Sequence, residues 1–188
     1  MPADLPFYLG GSRAWPGSVL EAQNKGAQGI QVGSIFALCE ESGFLPEVKR
    51  RVYDEWRTGR LVVLTDLHAS PTGYPIKVAQ LPETQSEEAV YESRERRCHL
   101  GCLRVPYLKP DGTMGYRCAS EPVGDFVKKG GKREDTLGAR CLCEALLNAI
   151  LEGFGEPMLV TLGDDLSFLN HLPWPYTAEQ AMEYLLQS

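Results

Sequence analysis

Two glycine turns near the start of the chain have the residue types and spacing for binding a phosphate. Gly10-Gly11-Ser12 follows an apolar run at residues 6–9, and Gly33-Ser34 follows a second run at residues 29–32. A phosphate dianion needs several backbone N–H donors at close range, and glycine has no side chain to prevent that approach. The serine hydroxyls can donate as well. The pattern predicts one phosphate site built from Gly10, Gly11, Ser12, Gly33 and Ser34, although each turn alone is also typical of an ordinary βα connection.

Alternating strands and helices must position these turns. The two apolar runs predict short buried strands, and helical spacing follows each of them, at residues 18–25 and from residue 35 onward. A strand, a glycine turn and a helix repeated in this order indicate consecutive βα units of a parallel sheet. Both turns then stand at the carboxyl ends of successive strands. The helix after Gly33 would add its N-terminal N–H groups and the positive end of its dipole.

The pattern changes after residue 66. Before it, a helix is predicted at residues 46–57 and a short strand at residues 61–64. After it, turn-rich loops separate a polar helix at residues 86–97, a core helix at residues 137–151 and a final helix. The final helix begins with the capping-box sequence Thr177-Ala178-Glu179-Gln180. We therefore predict α/β units over residues 1–66 and a mostly helical, loop-rich extension that contains cysteines over residues 67–188.

The glycine segments resemble the last two strands of the nitronate monooxygenase (2-nitropropane dioxygenase-like) flavoproteins. The resemblance is carried by Phe7-Tyr8-Leu9-Gly10-Gly11 and by the stretch from Gly26 to Phe36. It continues through Ser70-Pro71-Thr72-Gly73, Lys129-Gly130-Gly131 and Cys141-Leu142-Cys143, which look like the C-terminal extension of one subgroup. The resemblance implies an α/β fold, the C-terminal part of a (β/α)8 TIM barrel comprising its last two βα units. It also implies that Gly10, Gly11, Gly33 and Ser34 hold the phosphate of FMN.

This resemblance implies FMN-dependent oxidation of a small substrate such as a nitronate. In that family the first strands supply most flavin-ring contacts and, in many members, a catalytic histidine. Because His68, His99 and His171 lie away from the predicted barrel strands, no catalytic residue is assigned here. Eight strands with their helices need about 200–250 residues, so a partner chain or self-association is expected to complete the barrel. A truncated product, or a non-catalytic assembly or binding module, are the alternatives.

Five of the six cysteines lie in the predicted extension. Zinc needs about four nitrogen or sulfur ligands, but this part of the chain lacks a paired Cys-x2-Cys pattern. In one continuous helix Cys141 and Cys143 would point about 200° apart, so they could share an ion only if Cys141 precedes the helix. Small buried residues, a metal site and redox chemistry all remain open, and no metal ligand is assigned. The five are Cys98, Cys102, Cys118, Cys141 and Cys143.

Composition limits the expected partners and location. The chain has 188 residues and a formal net charge of −6, which argues against nucleic acid because phosphate backbones require clustered Lys and Arg. No apolar run approaches the ~18–20 residues that span a bilayer, so no membrane partner is expected. The first six residues lack the features of a signal peptide. We therefore expect a cytoplasmic protein with reduced thiols.

Overall fold

The computed structural model describes residues 5–187, which form two compact units. The terminal unit contains the described residues through Pro46 together with those from Leu162 onward, and the central unit contains Glu47–Thr161. This division differs from the boundary predicted near residue 66. The C-terminal segment packs with the first βα residues, and local periodicity carries no information about a contact between segments so distant in sequence.

Short helices and strands make up both units. The helices are α1 (Ser18–Asn24), α2 (Ser34–Ala37), α3 (Pro46–Arg57), α4 (Glu88–Ser93), α5 (Val123–Lys128), α6 (Glu144–Leu147) and α7 (Ala178–Leu186). The strands are β1 (Tyr8–Gly10), β2 (Gly29–Gln31), β3 (Val62–Asp66), β4 (Ile76–Gln80), β5 (Val105–Leu108) and β6 (Met114–Arg117). Two 3-10 turns cover Arg133–Thr136 and Ser167–Asn170. No helix in the described part of the chain is long and apolar enough to cross a membrane.

The first two strands pair in parallel, in the order that the glycine-turn pattern predicts. Tyr8 lies opposite Gly29, and Gly10 lies opposite Gln31. α1 connects the strands, and α2 begins three residues after β2. Over residues 5–187 the sheets contain two strands each and no barrel closes, so a place in a TIM barrel remains a prediction.

Aromatic and aliphatic side chains form the interior of the terminal unit. Ala22 of α1, Ile35 of α2, Phe168 and Tyr176 are all fully buried. The Tyr176 hydroxyl donates to the backbone carbonyl of Ile35 at 2.6 Å, and its ring meets that of Phe168 edge-on. Burial of these side chains fixes the C-terminal segment against α2.

The predicted capping box at the start of α7 is confirmed. The Thr177 hydroxyl accepts from the Gln180 N–H at 3.2 Å, and the Gln180 side chain accepts from the Thr177 N–H at 2.9 Å. These reciprocal bonds satisfy two N–H groups that a helix start leaves without intrahelical partners. α7 therefore begins where the sequence predicts it.

Two antiparallel hairpins organise much of the central unit. The predicted strand at residues 61–64 appears as β3, and it pairs with β4 through the turn-rich loop between them. β5 and β6 form the second hairpin, with Leu108 opposite Met114. The sequence did not reveal this second hairpin, because Pro106 and the turn residues around Gly112 hide the strand pattern. α3 has the bounds predicted for it.

The helices predicted at residues 137–151 and 86–97 are much shorter in the structure. Only α6 remains of the first, because Gly138 has a positive φ of 73° and the Arg140 N–H donates to the carbonyl of Ala69 instead of a helical partner. The second ends at Ser93. The backbone at Arg94 is extended, and its guanidinium turns into the interior.

A buried ion pair is the centre of a polar network in the central unit. Both oxygens of Glu156 accept from Arg94 Nη1, at 2.9 and 3.0 Å, and both side chains are fully buried. Gln85 and the Arg97 N–H also donate to this carboxylate. Asn148 donates to the backbone carbonyl of Glu156 at 2.5 Å. These bonds connect segments that are up to 71 residues apart in sequence.

Candidate phosphate site

The two glycine turns follow their strands at one edge of the β1–β2 sheet. Because the strands are parallel and Gly10 lies opposite Gln31, the residues that follow each strand emerge at the same edge. Gly10, Gly11, Ser12 and Gly33 are exposed, and Ser34 is half-buried. The structure therefore places both turns at the same edge of the sheet, and a shared phosphate site at the five residues remains a prediction.

The first turn depends on two consecutive residues in the left-handed region. Gly11 has a φ of 81° and Ser12 has a φ of 48°. Glycine adopts such a φ without steric cost, whereas a Cβ at Gly11 would be strained. The turn redirects the chain immediately after β1 and presents its backbone to solvent.

The second turn has an ordinary backbone and leads directly into α2. Gly33 has a φ of −113°, and its carbonyl accepts from the N–H groups of Phe36 and Ala37. α2 is only four residues long, so its dipole contributes less than the sequence suggests. The binding potential of this turn therefore lies in its individual N–H groups.

The Ser34 side chain already has one partner. Its Oγ accepts from the Gly163 N–H at 2.7 Å, and a Cβ added at Gly163 would lie 3.1 Å from the same atom. A hydroxyl has one proton to donate in addition to its acceptor sites. Ser34 can thus accept from Gly163 and still donate to an anion.

The space beside both turns is open. A Cβ built on Gly11 or on Gly33 would meet no other atom within 4 Å, and one on Gly10 would only touch Gln31, at 3.5 Å. A phosphate could therefore approach the backbone of either turn. These residues fit the phosphate of FMN in donor type and in access.

Arg13 is a residue that our sequence reasoning missed. It directly follows the first turn, its Nη1 contacts Glu21 at 3.2 Å, and its Nε is buried without a hydrogen-bond partner. A guanidinium adjoining the turn favours an anion there, because Arg donates in a fixed geometry suited to phosphate. The signal in the sequence was a basic residue immediately after Gly-Gly-Ser.

The three histidines are far in sequence from the ends of β1 and β2, and each contacts a residue outside the two glycine turns. His171 stacks on Tyr184 with ring centroids 5.8 Å apart, and His99 Nδ1 lies 3.2 Å from Glu144. His68 packs against Gly138, where an added Cβ would meet its side chain at 2.8 Å. We assign a proton-transfer role to none of them.

Within residues 5–187 the six cysteines form no disulfide, and four of them line one cavity of the central unit. α6 begins at Glu144, so Cys141 and Cys143 both precede it and the geometric objection to a shared site does not apply. The polar helix predicted at residues 86–97 ends at Ser93, so it does not extend to Cys98. Within residues 5–187 no group of three or more His, Cys, Asp or Glu side chains is arranged to hold a single metal ion.

Comparisons of the chain with protein-family models, with curated proteins and with solved structures gave no match. The assignment of the glycine turns to FMN therefore depends on their geometry and on the resemblance in sequence.

Proposed function

We propose that the terminal unit binds the phosphate of FMN as part of a nitronate monooxygenase-like oxidoreductase. One observation carries the proposal: two glycine turns leave the same edge of a parallel strand pair, with open space beside Gly11 and Gly33. Phosphate sites after the last two strands are common in (β/α)8 barrels. The N–H groups of Gly10, Gly11, Ser12, Gly33 and Ser34 are the proposed donors.

The flavin, once bound, supplies the redox chemistry for oxidising a small substrate such as a nitronate. The residues of this chain anchor the phosphate and thereby fix the position of the cofactor. The Ser12 and Ser34 hydroxyls add donors, and Arg13 adds a positive charge next to the first turn. None of these groups is proposed to move a proton on the substrate, and no catalytic base is assigned.

A partner chain, or further copies of this chain, is proposed to complete the barrel. Among residues 5–187, β1 and β2 form a sheet of two strands, so each strand has an edge without a neighbour there. Phe7 and Tyr8 at the start of β1 are 46% and 64% exposed. Additional strands would pair with these edges and cover the aromatic side chains. We propose the cytoplasm as the location, because its reducing conditions suit cysteines that form no disulfide within the described residues.

Gly33→Asp is the variant that tests the site most cleanly. The backbone of Gly33 accepts any residue, and its Cβ would meet nothing within 4 Å, so folding should be unaffected. The added carboxylate would repel the phosphate and occupy its space. Hydrogen bonds to charged groups contribute about 1.5–3 kcal/mol, so we expect FMN binding to weaken roughly tenfold to a hundredfold.

Gly124→Asp is the matched control, since Gly124 also has open space around its Cβ and lies in the central unit. Flavin fluorescence quenching should report unchanged FMN affinity for this variant. Equal FMN affinities of wild type and Gly33→Asp would refute the phosphate assignment. It would also be refuted if wild type bound no flavin either alone or when co-expressed with the remaining barrel strands.

A non-catalytic assembly module is the second candidate function. Several large apolar side chains of the terminal unit are exposed, and this favours such a module. Among them are Leu5, Phe7, Tyr8 and Leu20. Such side chains are typical of surfaces that another protein covers. Native mass spectrometry separates the two functions: a stable complex without flavin supports assembly alone, and a complex that retains FMN supports the flavoenzyme.

A further inference from the structure

The loop at residues 98–104 packs against the segment that leads into α6. His99 Nδ1 lies 3.2 Å from Glu144 Oε1, and part of the loop lines a narrow cavity together with Cys143. The cavity measures about 10 Å³, roughly the space of one water molecule, so the loop and this segment are nearly in contact. Cys102 stands between two of the loop residues in the lining. These loop residues include Leu100, Gly101 and Leu103.

The backbone of the loop also reaches the sulfur of Cys143. Burial raises the pKa of the Cys143 thiol, and hydrogen bonds from the backbone N–H groups of Leu103 and Cys102 act against that rise. These bonds place the backbone of Cys102 beside the Cys143 sulfur. Because the Cys102 side chain branches from the atom next to that nitrogen, rotation about its first side-chain bond brings its sulfur toward Cys143. The arrangement suits the short Cβ–Cβ separation of a disulfide.

The two thiols differ in their access to solvent. Cys102 is exposed, whereas Cys143 is half-buried. The sulfur of Cys102 contacts the Leu100 carbonyl at 3.9 Å, a distance too long to hold the side chain in place. An oxidant that arrives from solvent therefore meets Cys102, and Cys143 is the thiol placed to complete a bridge. The other thiols of the central unit are buried or bonded to Arg104, and they are Cys98, Cys118 and Cys141.

We propose that Cys102 and Cys143 form a reversible disulfide when the chain meets hydrogen peroxide. The sulfur of Cys102 attacks one peroxide oxygen, the O–O bond breaks, and a sulfenic acid and one water form. The sulfur of Cys143 then attacks the sulfenic sulfur, the S–S bond forms, and the hydroxyl leaves as a second water. The two thiols together lose two electrons and two protons, and the peroxide takes up both. A cellular thiol reverses the bridge by thiol–disulfide exchange.

The bridge would hold the loop covalently against the start of α6. It would close residues 102–143 into one ring of chain, which restricts the unfolded state and stabilises the folded one. Disulfides in a reducing cytoplasm are commonly transient and redox-sensing, so the proposal agrees with the proposed location. It is independent of the proposed FMN site, which lies in the terminal unit.

The test treats the reduced full chain with one equivalent of hydrogen peroxide. We expect the intact mass to fall by that of two hydrogen atoms and to return after dithiothreitol. Chymotrypsin cleaves after Leu100 and Leu142, which separates each cysteine of the proposed pair from its neighbour in sequence. A non-reducing digest should therefore contain peptides joined between Cys102 and Cys143. An unchanged mass, added oxygen without a bridge, or a bridge between other cysteines would overturn the proposal.

Cys102→Ser and Cys98→Ser form the matched pair of variants, because both change the same loop. Peroxide should raise the melting temperature of wild type by about 5 °C or more, and Cys102→Ser should lose both this rise and the bridge. Cys98→Ser should keep both. Cys143→Ser should retain a sulfenic acid at Cys102 that dimedone traps. A bridge that persists in Cys102→Ser, or one that is lost from a Cys98→Ser chain that circular dichroism shows to be folded, would also overturn the assignment.

Discussion

The terminal and central units are stabilised by different kinds of interaction. In the terminal unit, buried apolar and aromatic side chains pack between short regular elements, with Tyr176 against Ile35 as the clearest example. In the central unit, long irregular segments are held by a buried ion pair, Arg94 with Glu156, and by its hydrogen-bonded neighbours. In regular elements the backbone N–H and C=O groups bond to one another, whereas in irregular segments they need hydrogen bonds from specific side chains.

Substitution of Glu156 should cause the largest loss of stability, because the buried ion pair of this residue has no counterpart among the terminal-unit contacts described above. Glu156→Gln keeps the shape of the side chain but leaves the Arg94 charge buried without its partner. Breaking a buried pair costs about 3–5 kcal/mol, so we expect the free energy of unfolding of the central unit to fall by that amount in urea titrations. Glu152→Gln, at an exposed carboxylate, should change it by less than about 0.5 kcal/mol. Equal stability of the two variants would show that the network does not hold the unit.

The corresponding change in the terminal unit should be smaller. Tyr176→Phe removes the hydroxyl that donates to Ile35 but keeps the ring in its apolar surroundings. We expect a loss of about 1–2 kcal/mol in thermal or urea unfolding, because the buried carbonyl of Ile35 loses this donor. Tyr8→Phe, at an exposed ring, is the control and should be neutral. A loss as large as that of Glu156→Gln would contradict the contrast between the units.

The start of α7 gives the smallest expected effect. Thr177→Ala removes one half of the capping box and should cost about 1 kcal/mol. Thr177→Ser keeps the hydroxyl and should restore most of the stability. Calorimetry of both variants tests this, and identical melting temperatures for Ala and Ser would show that the cap contributes nothing.

The same contrast explains which features the sequence could predict. β1, β2, α3 and the capping box of α7 follow from local periodicity and from turn and cap residues, and the structure places each within a few residues of its prediction. The placement of Gly10 and Gly33 at one edge of the sheet also follows, because consecutive βα units place the turns after both strands there.

The remainder depends on contacts that local patterns do not encode. The predicted helix at residues 137–151 is interrupted because Gly138 and the bond from Arg140 to Ala69 favour another path. Glu156 meets Arg94 across 62 residues of sequence, and nothing near either residue signals the pairing. Gly163 reaches Ser34 across 129 residues, so this contribution to the candidate phosphate site was equally hidden.

The most direct test of the proposed phosphate site is a titration followed by amide resonances. The full 20.8 kDa chain, labelled with ¹⁵N, would be titrated with FMN and separately with riboflavin, which lacks the phosphate. We predict that the amide signals of Gly10, Gly11, Ser12, Gly33 and Ser34 shift with FMN and stay in place with riboflavin. Unchanged signals in both turns with FMN, or the same shifts with riboflavin, would contradict a phosphate site at this edge of the sheet.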